Sequence, residues 1–132
     1  MKKAVWSMSL VSLIFLGVPL FLFPVGVPAA DTPAVPEFPV KGMVTMVDFG
    51  APFCAPCKAM YPFLEKLEKE YRNRAAIIVL DVGKSPELCD KYGITELPTQ
   101  VFYNPQGKEV YRHKGFMKEE TIVKQLKKMG VK

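Results

Sequence analysis

The sequence predicts an α/β domain, a small mixed sheet of about four strands with helices on both faces. Three observations carry this. The run Val44-Thr45-Met46-Val47-Asp48-Phe49 is almost entirely apolar and reads as a strand buried on both sides. A helical apolar period and then a second buried run, Ala75 to Val82, follow it. Two short β-rich segments, Thr99 to Tyr103 and Glu109 to Arg112, flank the hairpin signal Asn104-Pro105-Gln106-Gly107-Lys108. Strands joined through helices run parallel and a hairpin adds antiparallel ones, so the sheet is mixed.

The elements follow in order. Met1-Lys2-Lys3 is a basic start, and no further charge appears until Asp31. Between them Leu10 to Phe23 is strongly apolar, and Val27-Pro28-Ala29-Ala30 offers small residues for cleavage after Ala29 or Ala30. Residues 1–30 therefore have the layout of a secretory signal peptide. An uncleaved membrane anchor is the alternative, since the uncharged span exceeds the roughly 20 residues a bilayer crossing needs, although Pro19, Pro24 and Gly26 interrupt it. Both readings keep Lys2 and Lys3 inside and place the rest of the chain outside the cytoplasm, in the periplasm of a bacterium. Residues 31–40 hold three prolines and read as an extended tether. The domain proper is expected over residues 41–132.

Within it, Gly50-Ala51-Pro52-Phe53 is a loop. A helix from about Cys54 to Tyr71 places Met60, Phe63, Leu64, Leu67 and Tyr71 on one face and Glu65, Lys66, Glu68, Lys69 and Glu70 on the other. Pro62 lies inside it and is expected to kink it. After the second strand, Ser85 and Pro86 suit the N-cap and first position of a short helix through Tyr92, stopped by Gly93. A last helix, Lys118 to Met129, carries Ile122, Val123, Leu126 and Met129 as its apolar stripe.

Charge and cysteines narrow the function. The formal net charge is +5, and removing residues 1–30 takes away two lysines and no acids, leaving +3. The remaining charges are interspersed, and Lys124, Lys127 and Lys128 read as a solvated helix face, so no nucleic-acid partner is expected. Of the three cysteines, Cys54 and Cys57 lie three positions apart and Cys89 stands alone. A disulfide closing so small a loop constrains the unfolded chain little, which points to chemistry before stability. A zinc site would need further ligands, and only Cys89 and His113 remain as nitrogen or sulfur donors. Haem attachment needs a histidine where Lys58 stands. The expectation is a redox pair with no metal and no cofactor. If Cys54 begins a helix, the unpaired N–H groups and the helix dipole favour its thiolate, the form that attacks disulfides. Asp48, alone in a buried strand, is a candidate carboxyl of raised pKa that relays a proton.

The element order, together with Val47-Asp48-Phe49…Cys54-Ala55-Pro56-Cys57-Lys58 and Lys91-Tyr92-Gly93-Ile94…Leu97-Pro98-Thr99, resembles the thioredoxin family. The resemblance covers roughly Lys41 to Met129. It implies that Cys54 and Cys57 form the redox-active disulfide, with Cys54 the exposed attacking thiol and Cys57 the shielded resolving one. It implies that Asp48 is the buried acid beneath Cys57 and that Pro98 is a cis-proline facing the disulfide across a substrate groove. Phe53, Ala55, Pro56 and Leu97 complete that groove, and Gly115 and Lys91-Tyr92-Gly93 are matched as structural positions.

Four departures stand out. Gly50 and Phe53 replace the family's two tryptophans around the motif, and Ala55 replaces its glycine. Val79 stands where the family has a lysine near the buried acid. Only the tether precedes Met43, so the N-terminal strand and helix of full thioredoxins are missing or shortened.

The expected activity is extracytoplasmic thiol–disulfide exchange on protein substrates. Reduction is the favoured direction, since Ala55-Pro56 lacks the histidine of the strongly oxidising relatives. Electrons would come from a membrane thiol carrier, and a monomer suffices. A disulfide oxidase or isomerase of the same fold, or a binding domain without activity, are the rivals. Cys89 is expected to be a small core residue.

Overall fold

The strands and helices come in the predicted order: β1 (Val44–Gly50), α1 (Ala55–Glu70), β2 (Ala75–Asp81), α2 (Glu87–Tyr92), β3 (Thr99–Tyr103), β4 (Glu109–Lys114) and α3 (Glu119–Lys128). The computed structural model describes residues 35–132, so residues 1–30, read above as a signal peptide or membrane anchor, and the start of the 31–40 segment lie outside the described residues. The sheet order is β2-β1-β3-β4. β1 pairs in parallel with β2 and antiparallel with β3, and β4 closes the hairpin. Among the described residues no helix is long and apolar enough to cross a membrane.

β1 is buried along its whole length because it has a strand on each side and a helical layer on each face. Its side chains alternate between two cores. Val44 and Met46 join Met60, Leu64 and Leu67 of α1 and Ile122 and Leu126 of α3. Val47 and Phe49 join Leu80, Leu88 of α2, Val101 and Tyr103. Asp48 belongs to the first set by alternation, so its carboxyl points under α1.

Helix α1 has Pro56 in its opening turn, where the missing N–H is no loss. The 3-4-3 spacing of Cys57, Met60, Leu64 and Leu67 buries one stripe. Pro62 lies inside α1 without ending it. Gly93 stops α2 in the left-handed conformation (φ 61°), and Arg112 of β4 donates to the carbonyl oxygens of Tyr92 and Gly93 at that end. The start of α2 differs from expectation. Pro86, not Ser85, is the capping residue and is already helical, and the Ser85 side chain makes no cap bond. The Ser85 carbonyl accepts from the Leu88 N–H instead, so the turn tightens one residue later than the Ser-Pro pattern suggests.

The larger difference concerns the 31–40 segment. Its described part forms no helix or strand, in keeping with its prolines, but it is not free of the domain. The Phe38 ring packs on Phe49, Tyr92 and Tyr103 at centroid distances of 6.1, 4.9 and 6.4 Å. The Val40 N–H donates to Thr45 Oγ1 at 3.0 Å. Phe38 and Val40, within the segment read as a tether, thus contact the domain. Proline content foretells an extended backbone, and an extended backbone can still set a side chain into a core. Phe38→Ala should lower stability by about 2 kcal/mol, less than a fully buried phenylalanine because the ring is only partly buried. Urea denaturation checks this, and an unchanged midpoint would show that the contact contributes nothing.

Candidate active site

β1 delivers the chain to Gly50, and a tight turn, closed by a bond from the Cys54 N–H to the Ala51 carbonyl at 3.1 Å, leads into α1. Cys54 is the N-cap of that helix. Its Sγ accepts from the Cys57 N–H at 3.3 Å, and its carbonyl from the Lys58 N–H at 3.1 Å. The two sulfurs are bonded, with S–S 2.07 Å and Cα atoms 5.3 Å apart. Their environments differ. Cys54 is partly exposed, whereas Cys57 is fully buried because it opens the apolar stripe of α1. When the pair is reduced, a partner's disulfide can reach Cys54, while Cys57 is open only to a sulfur already held on Cys54. A helix N-terminus also favours negative charge on Cys54.

Around the pair, Ala55 and Pro56 are exposed and Phe53 is 77 % exposed, an apolar ring in water beside the attacking sulfur. The Leu97–Pro98 peptide bond is cis, the isomer the resemblance implies. Thr99 pairs with Phe49, so Pro98, one residue earlier, stands at the level of Gly50. The Pro98 carbonyl accepts from the Gly115 N–H at 2.7 Å. Leu97 and Cys54 both pack on the core beneath α2, which brings them to the same end of the sheet.

Asp48 is fully buried. Its Oδ1 accepts from Gln100 Nε2 at 2.8 Å, and its Oδ2 has no hydrogen-bond partner. Burial raises its pKa from 3.8 to about 6, and the Gln100 hydrogen bond partly opposes the rise. The carboxyl therefore changes charge close to neutral pH, where a proton carrier is useful.

Two residues that the sequence patterns do not single out complete the site. Gln100 lies directly across from Asp48 in the β1–β3 pairing. Tyr61 brings its hydroxyl to Gly50. A Cβ at position 50 would lie 3.3 Å from Cys57 Cβ, 3.3 Å from Tyr61 Oη and 3.4 Å from Asp48 Oδ2. The glycine is thus the floor on which the resolving cysteine, the tyrosine and the carboxylate meet. Burial, then the Asp48 and Asp81 carboxylates, hold the Tyr61 hydroxyl above its ordinary pKa. An uncommitted polar residue in the strand paired with β1 was the available signal for Gln100; Tyr61 falls beside the helix stripe and gives none.

The remaining candidates stay outside the centre. Cys89 is a free, half-buried thiol packed on the core beneath α2. His113 places Nε2 3.2 Å from the Phe116 carbonyl oxygen. Among the described residues, no three histidine, cysteine or acidic side chains gather as a metal site would require.

A partly exposed sulfur at a helix N-terminus, bonded to a buried one above a buried carboxyl, defines a protein that exchanges thiols and disulfides. The thioredoxin family model matches residues 39–128. A thioredoxin of Staphylococcus aureus is 36% identical over 89 residues, which cover 67% of this chain and 85% of the relative. Among solved structures, Fasciola hepatica thioredoxin aligns with TM-score 0.60 and 35% identity over 67% of this chain and 83% of its own. The pneumococcal exposed lipoprotein thioredoxin of Streptococcus pneumoniae aligns with TM-score 0.57 and 26% identity over 67% and 86%. The chain belongs to the thioredoxin family. It is a thiol–disulfide oxidoreductase with Cys54 and Cys57 as its redox pair.

Proposed function

We propose that this oxidoreductase works outside the cytoplasm as a reductant of protein disulfides. The observation that carries the chemistry is the unequal exposure of the two sulfurs at the N-terminus of α1. In the first step the Cys54 thiolate attacks one sulfur of a partner disulfide, and the other partner sulfur leaves as a thiolate that takes a proton from water. In the second, Cys57 gives its proton to Asp48 Oδ2 and its sulfur attacks Cys54. The mixed disulfide breaks, Cys54 and Cys57 become bonded, and the partner's second sulfur leaves as a thiolate. Two electrons pass from the dithiol to the partner. Phe53, Ala55, Pro56, Leu97 and Pro98 form the groove that holds the partner's extended chain beside Cys54.

The reducing direction is supported by the exposed Ala55-Pro56 pair, which places no imidazole between the sulfurs to stabilise the reduced form. The compartment is supported by the leader layout of residues 1–30 and by likeness to a relative described as an exposed lipoprotein. In that setting a membrane thiol carrier returns the electrons, and the domain acts as a monomer.

The deciding measurement is the reduction potential of the Cys54–Cys57 pair in glutathione equilibrium. A value near about −270 mV supports the reductant, and one near about −120 mV makes the protein an oxidant. Alkaline phosphatase fused behind residue 40 should be active only if exported, and an inactive fusion would overturn the location.

A further inference from the structure

The buried carboxyl has an unusual companion. Where the family resemblance sets a lysine near this acid, Val79 stands, and Val79 is the residue that β2 aligns with Asp48. The residue aligned with Asp48 on the other side is Gln100, fully buried and hydrogen-bonded to Asp48 Oδ1 at 2.8 Å. Its Nε2 also lies 3.6 Å from Met60 Sδ. Both hydrogens of the amide nitrogen thus point at acceptors. A flipped amide would set its oxygen against a carboxylate and a thioether; in the orientation present, Oε1 is the amide atom without a partner.

We propose that Gln100 is the positioning residue of the resolving step, an uncharged clamp that holds Asp48 by Oδ1 in both protonation states and leaves Oδ2 free to take the Cys57 proton. This rests on the disulfide-exchange chemistry above. The geometry accounts for both halves of the role. Gln100 engages one oxygen only, and Oδ2 faces the space over Gly50 that Cys57 Cβ and Tyr61 Oη also border. A lysine would bind whichever oxygen is charged and loosen on protonation; an amide N–H donates to Oδ1 whether or not Oδ2 carries a proton. The groups facing Asp48 are Cys57 and Tyr61 from α1, Gln100 from β3 and the uncharged Val79 from β2, with Asp81 at the far end of that strand acting on Tyr61. No cation is among them, so the clamp moves the acid by a hydrogen bond alone, downward, against the upward push of burial.

The test uses the full-length chain, reduced, and two variants. Gln100→Met keeps the volume and removes the donor; Gln100→Asn keeps an amide too short to reach. The Asp48 carboxyl is titrated by carbon NMR, and the resolving step is followed by single-turnover kinetics from pH 5 to 9. The Asp48 midpoint should rise by about one pH unit or more in Gln100→Met. The acid limb of the rate profile should rise with it, so that the rate at pH 6 falls about fivefold. In Asp48→Asn the acid limb vanishes, and adding Gln100→Met to it should change the profile no further. A folded Gln100→Met with an unchanged Asp48 midpoint overturns the proposal, as does a shifted midpoint that the rate does not follow. Should Gln100→Met lose its native near-ultraviolet dichroism, the same readings on Gln100→Asn decide. Failure of the underlying chemistry reads differently, as a wild-type protein that reduces no disulfide at any pH while its carboxyl still titrates.

Discussion

Cys54→Ser abolishes the reduction of insulin disulfides, by more than about a thousandfold, because a serine hydroxyl at neutral pH supplies almost none of the anion that attacks. Cys57→Ser gives a different defect. Cys54 remains partly exposed and attacks, but nothing resolves the adduct, so a one-to-one mixed disulfide on Cys54 accumulates and is visible by mass spectrometry without reductant. The asymmetry follows from burial: Cys54 is open to a partner and Cys57 is sealed under α1. An adduct on Cys57 in the Cys54→Ser protein would reverse these roles. Cys89 cannot substitute for either, as it packs on the core beneath α2.

Asp48→Asn stabilises the fold and slows the resolving step. The folded protein holds the Asp48 proton up to about pH 6, and the unperturbed group releases it near 3.8. Between those values the native state binds more protons than the unfolded one, so stability falls as pH rises through the window. The penalty is complete above about pH 6 and absent below about pH 4. Two pH units correspond to about 3 kcal/mol. Asparagine carries no charge to bury and can still accept from Gln100, so the variant should gain about 2–3 kcal/mol at pH 7.5 and nothing near pH 4. The same change removes the proton acceptor for Cys57 and should slow resolution by about a hundredfold at neutral pH. Urea denaturation at the two pH values and single-turnover kinetics measure the two effects. Equal gains at both pH values would show that folding does not raise the pKa of Asp48.

Much of the architecture was legible because it rests on signals local to each segment. β1 has an unbroken apolar run, α1 and α3 have apolar stripes, and Gly93 and the Asn104–Lys108 turn mark their own stops. The two cysteines, Asp48 and Pro98 could be found because each stands out from its surroundings or sits in a recognisable motif. What escaped depends on tertiary register. Phe38 lies in a proline-rich stretch whose residues fix a backbone conformation without naming the side chains that touch it. Gln100 meets Asp48 only once β3 aligns against β1, 52 residues away in sequence. Tyr61 sits beside the buried stripe of α1, and its hydroxyl matters only because β1 ends in a residue without a side chain.

That last pairing limits the substitutions open to this chain. Position 50 is bordered by Cys57, Tyr61 and Asp48, and a methyl group there would crowd Cys57 Cβ and Tyr61 Oη, at 3.3 Å each, and touch Asp48 Oδ2 at 3.4 Å. A residue larger than glycine at 50 requires Cys57 or Tyr61 to shift. The two positions are therefore epistatic.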